Sequence, residues 1–351
     1  MFRISSASYA SAASPVSWLL AGLILLTVPL CAQAGRAYVT NEDGESVSVI
    51  DTDKAEVIAT VNVGKRPRGL KLSRDGRHLY VAVSGLPKCP PSVPDEECAK
   101  LKHDLTADGI AAIDTTTLKL SGLLKSGPDP EQFDLSLDGK RLFISNENGG
   151  TLTVVNVASG AVETTVPVGK EPEGVRVTPD GRWIVVTSES GDAIYIVDAR
   201  SLQMVKSVPV GKRPRDAAFS ADGRTAYVSG EFDASLYSVA IPDGAGATQL
   251  LQLRKEDKPM GVVLDASHKR LFVSTGRGGM VAVVSLEGGP KLVTEIAVGA
   301  RPWGIALSHD GKRLYTANGS SNDVTIVDTL SLQVLKKVAV GKSPWGVVLA
   351  P

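Results

Sequence analysis

The stretch VGKRPRGLKLSRDGRHLYV, residues 63–81, comes back along the chain as VGKEPEGVRVTPDGRWIVV (168–186), VGKRPRDAAFSADGRTAYV (210–228) and VGARPWGIALSHDGKRLYT (298–316). The frame holds while the residues beside the proline change. The prolines of the frame are Pro67, Pro130, Pro172, Pro214, Pro259, Pro302 and Pro344, at steps of 63, 42, 42, 45, 43 and 42 residues. Only the first step is long, by one insertion, so the chain carries seven copies of a unit the size of a propeller blade. Each copy reads as a short alternating strand after the proline, a turn, a second strand such as LYVAV or RLFIS, a polar loop, a third such as VSVID or VTIVD, and a fourth ending in Val-Gly. Asp75-Gly76, Asp138-Gly139, Asp180-Gly181, Asp222-Gly223 and Asp310-Gly311 sit between the first two strands, where a type I′ hairpin turn is expected. No segment keeps a helical period.

The expected fold is therefore all-β: a seven-bladed β-propeller of four-stranded antiparallel blades. The ends agree. RAYVTN at 36–41 starts on a second strand, and PWGVVLAP at 344–351 is a first strand with nothing after it. The C-terminal strand is expected to complete the N-terminal blade and close the ring, removing the open edges that invite aggregation.

Composition narrows the function classes. The chain has 351 residues with 38 basic and 38 acidic side chains, so no net field recruits nucleic acid or an anionic membrane. Arg3, the apolar run Val16–Leu30 and Ala32-Gln33-Ala34 read as a secretory signal over 1–34 with cleavage after Ala34, against the alternatives of a lipoprotein signal on Cys31 or an uncleaved anchor. The mature propeller then spans 35–351 in the periplasm, with no membrane span after cleavage and a monomer expected. Cys89 and Cys98 remain; in an oxidising compartment they are expected to form a disulfide. No C-x-x-C-H occurs, so no covalent c-type haem is expected.

The YVTN of Tyr38–Asn41, with GKRPRG (64–69), SGPDPEQF (126–133), EPEG (171–174), TSE (187–189), KRPRD (212–216), NGSSNDVTIVD (318–328) and PWGVVLAP (344–351), resembles the YVTN-family β-propellers. Within them it is most similar to periplasmic propellers associated with PQQ-dependent alcohol catabolism. The resemblance covers the whole mature chain. It implies a periplasmic protein encoded near quinoprotein dehydrogenases, of no established activity; together with the mouth residues below it leads to the expectation of a non-catalytic accessory protein serving such a dehydrogenase or its cytochrome, with PQQ as the associated cofactor. The insertion at 86–108 departs from the pattern.

Function needs a site, not a fold. In a propeller the first strand of each blade lines the central channel, so the residues flanking each proline should ring one mouth. Arg66, Arg68, Glu131, Glu173, Arg213, Arg215, Arg301, Trp303 and Trp345 are the expected ligand or partner residues there. Arginines suit bidentate binding of carboxylate or phosphate, and tryptophans suit stacking, which together point to a small anionic aromatic ligand. The competing reading is that Arg and Glu neutralise one another while the tryptophans pack. Glu42, Glu147, Glu189 and Glu231 share one position in the loop after the second strand, as a candidate cation site or a solvated rim. The insertion falls in the same loop type and should overhang the mouth as a disulfide-tied flap, or else be a tolerated surface loop. His103 is the one histidine on that face, and H-x-x-x-H and G-x-S-x-G are absent. Three functions follow: the PQQ-linked binding or accessory role; a lactonase-like hydrolase with a carboxylate or metal mouth; and a protein or nucleic-acid interaction platform, with nucleic acid disfavoured by the neutral charge.

Overall fold

Seven four-stranded antiparallel sheets form among the described residues. The computed structural model describes residues 1–3, 7–8, 35–89, 93, 95–98 and 100–350. Of the export-signal reading over 1–34, the apolar run Val16–Leu30 and the cleavage site Ala32-Gln33-Ala34 lie outside the described residues. The propeller is built wholly from one of the chain's two units, Ala34–Pro351. Among the described residues no helix is long and apolar enough to cross a membrane.

The first blade joins Pro344–Leu349 to Arg36–Asn41, Ser46–Asp51 and Glu56–Asn62, in that order. Val39 pairs with Val347 and Tyr38 with Val348, so the ring closes as the split ends require. The second blade, Leu70–Leu72, His78–Val83, Gly109–Asp114 and Lys119–Leu124, carries the insertion between its middle strands. The third to seventh blades begin at Pro130, Pro172, Pro214, Pro259 and Pro302.

The apolar core is divided into seven clusters, each between two neighbouring blades; one joins Tyr38, Val47 and Val49 of the first blade to Leu79, Val81 and Ala111 of the second. The two middle strands are buried on both faces and read as near-continuous apolar runs. The fourth strand is exposed except near its end. There the recurring Val-x-Val-Gly places two side chains inward by strand alternation: Val61 and Val63, Val166 and Val168, Val208 and Val210 are all buried.

The hairpins form, but the expected type I′ turn does not. Only the glycine of each Asp-Gly has positive φ, from +68° to +72°; a type I′ turn needs it at both central residues. Instead the Gly76 amide donates to the Ser73 carbonyl at 2.9 Å. The Asp75 carboxylate accepts from the Ser73 hydroxyl at 2.6 Å and the Arg77 amide at 3.1 Å. The same hydroxyl–carboxylate bond recurs at Ser136–Asp138, Thr178–Asp180, Ser220–Asp222 and Ser308–Asp310. The operative signature is Ser/Thr-x-Asp-Gly, a carboxylate-braced turn closed by a left-handed glycine.

Two devices set the ring. Gly69 and Gly304 follow the residue after the proline, and a Cβ there would stand 2.8 Å from the Glu131 carbonyl oxygen and 2.7 Å from that of Trp345. Glycine thus allows successive first strands to approach at the channel axis. Hydroxyls of the second strands then stitch blade to blade. Thr40, Ser145, Thr187, Ser229 and Ser274 donate to the carbonyls of Arg68, Glu173, Arg215, Met260 and Trp303 at 2.5–2.9 Å. The Thr of YVTN is one of these stitches.

Candidate active site at the channel mouth

The residues before the prolines, Arg66, Asp129, Glu171, Arg213, Lys258, Arg301 and Ser343, all have φ between +42° and +57°. That region is uncommon for residues other than glycine and costs on the order of 1–3 kcal/mol each where the surroundings impose it. The imposing contact is visible. The carbonyls of Asp129, Glu171, Arg213, Lys258, Arg301 and Ser343 accept from the amides of Glu147, Glu189, Glu231, Gly276, Gly319 and Glu42 at 2.9–3.0 Å. In these six blades the two mouth loops are therefore tied together, and the side chains they carry are held at fixed positions.

Eight of the nine expected mouth residues line one cavity of about 300 Å³: Arg66, Arg68, Glu131, Arg213, Arg215, Arg301, Trp303 and Trp345. Glu173 lines a smaller recess of about 70 Å³ deeper in the channel, together with Arg215 and both tryptophans. Glu42, Glu147 and Glu189 also face the larger cavity, and Glu231 faces an adjoining one of about 170 Å³.

Two charged clusters line neighbouring sectors of the mouth. In the first, Arg68 is 2% exposed. It donates to Asp129 Oδ1 at 2.5 Å and to the Pro130 carbonyl at 2.8 Å, contacts Glu131, and reaches Glu147 Oε2 at 3.4 Å. One guanidinium thus serves three carboxylates. Burial works against the charge on Arg68, but Glu131 and Asp129 outweigh it and raise its pKa. Burial likewise acts to raise Asp129, yet Arg68, Ser84 and Arg66 together hold it low. Glu147, left with the long contact, is raised by burial against the pull of Arg68, with Asp129 adding repulsion. It is also the most open of the three, its side chain 31% exposed.

In the second cluster Arg215 lies 2.5 Å from Glu173 and in contact with Glu189, and Arg213 bridges Glu189 at 2.5 Å and Glu231 at 3.0 Å. Burial raises the Glu173 carboxyl against the pull of Arg215. Trp303 and Trp345 stand with ring centroids 5.8 Å apart at 30°, and Arg215 and Arg301 each lie 5.0 Å from the Trp303 ring. Neutralisation between Arg and Glu therefore occurs, but unevenly: it saturates the second to fifth blades and leaves the sixth and seventh out.

The four glutamates do not converge as a cation site. Glu42 pairs with Arg66 at 3.2 Å and Lys88 at 2.9 Å, Glu147 belongs to Arg68, and Glu189 and Glu231 to Arg213 and Arg215. Among the described residues no group of three or more His, Cys, Asp or Glu could hold a metal ion. The donor set does not fit a divalent cation, because guanidinium groups already occupy the carboxylates.

The root of the insertion reaches the mouth. Lys88 and Cys89 line the cavity, and Arg66 donates to the Leu86 carbonyl at 2.9 Å. At its far end Asp108 accepts from the amides of Gly85 and Asp129 at 2.8 and 3.1 Å and lies 2.8 Å from His103 Nε2. His103 thus braces the loop beside Asp129 rather than facing the cavity. Cys89 is disulfide-bonded; the side chain of Cys98 lies outside the described residues. Asp129 and Lys88 are two charged mouth residues that the sequence reading did not put forward as binding residues. Asp129 was signalled by its place in the ring before the prolines. Lys88 carried no signal, since a lysine in a long loop has no register.

The fold and this mouth define a class: a closed seven-bladed propeller with a charged, tryptophan-floored pocket on its axis. The chain belongs to the family described as lactonase, 7-bladed beta-propeller, which matches residues 30–176 and 168–331. The periplasmic gluconolactonase of Pseudomonas aeruginosa shares the fold at TM-score 0.69 and 21% identity, over 90% of this chain and 99% of that one. A putative 6-phosphogluconolactonase from Bacteroides fragilis does so at TM-score 0.72 and 18% identity, over 92% and 100%. Antigen Lp49 of Leptospira interrogans is 31% identical over 111 residues, 32% of this chain but only 23% of that protein, so the chain spans under a quarter of that relative's length. These findings correct the functional expectation. The β-propeller stands, but the family is that of the lactonases, which overturns the PQQ-linked, non-catalytic accessory role and favours the hydrolase that had been its alternative.

Proposed function

We propose that the chain hydrolyses a small lactone at the channel mouth. The observation that carries the reading is Glu147: a partly exposed carboxyl, raised by burial, on the wall of a cavity it shares with Arg68 and Arg215. Family membership supports the reaction class. The Trp303–Trp345 pair offers the apolar face of a cyclic substrate a surface. Glu147 takes a proton from water as the water oxygen bonds to the lactone carbonyl carbon. The oxyanion that forms is stabilised by guanidinium N–H groups in a partly desolvated site. The ring C–O bond then breaks, the proton passes from Glu147 to the departing oxygen, and a hydroxy acid leaves. The sequence pattern over residues 1–34 supports a periplasmic site of action.

The test is a pH-stat assay on a panel of sugar-acid lactones. Glu147→Gln should lower kcat by roughly 10²–10⁴-fold, the range for removing a general base, with melting temperature retained. Hydrolysis by the unaltered protein no faster than the uncatalysed rate would overturn the reading.

A further inference from the structure

The first strands carry a second ring, four residues after each proline. In chain order its members are Lys71, Asp134, Arg176, Ala218, Val263, Ala306 and Val348. Three successive blades supply charge, and the other four supply small apolar side chains. All seven are half-buried, whereas the residue directly before each is buried in one of the interblade clusters. Strand alternation accounts for the difference: one side chain enters the core and the next faces the channel.

A cavity of about 370 Å³ lies at this end of the first strands, away from the mouth. That size falls within the roughly 300–1,000 Å³ of small-molecule sites. Ala218, Val263, Ala306 and Val348 line it, and Phe219 and Leu307 extend the apolar wall. Lys71 and Arg176 supply its charge, and among the described residues no carboxylate lines it. Both cations have aspartate partners. Arg176 donates to Asp216 at 2.8 Å and to the Ala217 carbonyl at 3.2 Å, and Lys71 Nζ reaches Asp134 Oδ1 at 3.4 Å. A guanidinium has five N–H donors and an ammonium three, more than these contacts use. The aspartates are shared with the backbone as well. Asp134 accepts from the amides of Leu135 and Val177 at 3.0 and 2.9 Å, and Asp216 from that of Ala217 at 2.8 Å. On Arg176 the pull of Asp216 and Asp134 outweighs burial. On Lys71 burial wins over Asp134, and its pKa is lowered, with Arg176 adding repulsion. The ammonium is therefore under-compensated.

We propose that this far-side cavity binds an aliphatic monocarboxylate, its carboxylate on Lys71 and Arg176 and its chain against the four apolar blades. A single anion matches the donors that the aspartates leave over. The chain removes half-exposed Ala218, Val263, Ala306 and Val348 from water. The site shares no lining residue with the mouth cavity, so it stands apart from the lactone reading.

Calorimetric titration of the full chain with octanoate, octan-1-ol and acetate tests it. Octanoate should bind at least about tenfold more tightly than either of the others, the scale of one charge-assisted hydrogen bond. Lys71→Met should remove most of the advantage over octan-1-ol. Ala306→Leu narrows the cavity without touching a charge and should also weaken octanoate about tenfold or more, which keeps the test decisive if Lys71→Met fails to fold. Arg301→Ala, at the mouth, should leave octanoate affinity unchanged. Octanoate binding no tighter than octan-1-ol or acetate overturns the site. So does an affinity that survives both Lys71→Met and Ala306→Leu, or one that is lost in Arg301→Ala alone, which would put the carboxylate at the mouth.

Discussion

Arg68 is the residue on which the mouth depends. It is buried with Asp129 and Glu131 and reaches Glu147 and the Pro130 carbonyl, so Arg68→Ala leaves buried carboxylates without their counter-charge. Breaking a buried pair from one side costs about 3–5 kcal/mol, and chemical denaturation should show a loss of that size. A second effect has a definite sign. Burial raises the Glu147 carboxyl and Arg68 restrains it. Hydrolysis by the unaltered protein should therefore rise with pH along a limb above the ordinary glutamate range, as Glu147 ionises. In a folded Arg68→Gln variant that limb should move to still higher pH. A limb that stays put in the pH–rate profile would remove Glu147 from the base role.

At the scale of elements, the first hairpin of five blades is braced by its aspartate. Asp75, Asp138, Asp180, Asp222 and Asp310 are all held below the usual carboxylate range, chiefly by the Ser or Thr hydroxyl two residues earlier and also by a backbone amide. A depressed folded-state pKa contributes stability that is complete above the unfolded value of about 3.9 and is lost as pH falls through the folded one. Thermal stability should accordingly drop below about pH 4. A variant with Ser73, Ser136, Thr178, Ser220 and Ser308 all changed to Ala should show a shallower drop from a lower starting point, read by calorimetry across pH. An unchanged slope would mean that the turns do not carry the acid sensitivity. Type I′ was the wrong expectation here because Asp-Gly was read alone; the hydroxyl two residues earlier was in plain view at every turn.

For the whole molecule, stability lies in seven interblade clusters rather than one centre, and closure makes them mutually dependent. Pro344–Leu349 supplies the channel strand of the first blade, and Trp345 with it supplies part of the mouth floor. Removing residues 344–351 exposes the open edge of Arg36–Asn41. It should cost the cooperative unfolding transition and produce self-association by light scattering. A truncated chain that stays monomeric and melts in one sharp step would show that closure is dispensable.

Period, strand count and ring closure were all legible in the order of residues, because each blade repeats one pattern of alternation and one proline. The ring at the mouth was legible for the same reason: seven equivalent positions on first strands must meet at the axis. What the linear order leaves open is which charges meet. Arg68 and Glu131 lie 63 positions apart, and so no local rule pairs them; Gly69 and the interblade hydroxyls bring their strands together. Tertiary contact alone turned four aligned glutamates from a candidate cation site into partners of arginine. Among the described residues Lys258, Arg277 and Arg301 are in no ion pair, because Gly276 and Gly319 stand where other blades carry a glutamate.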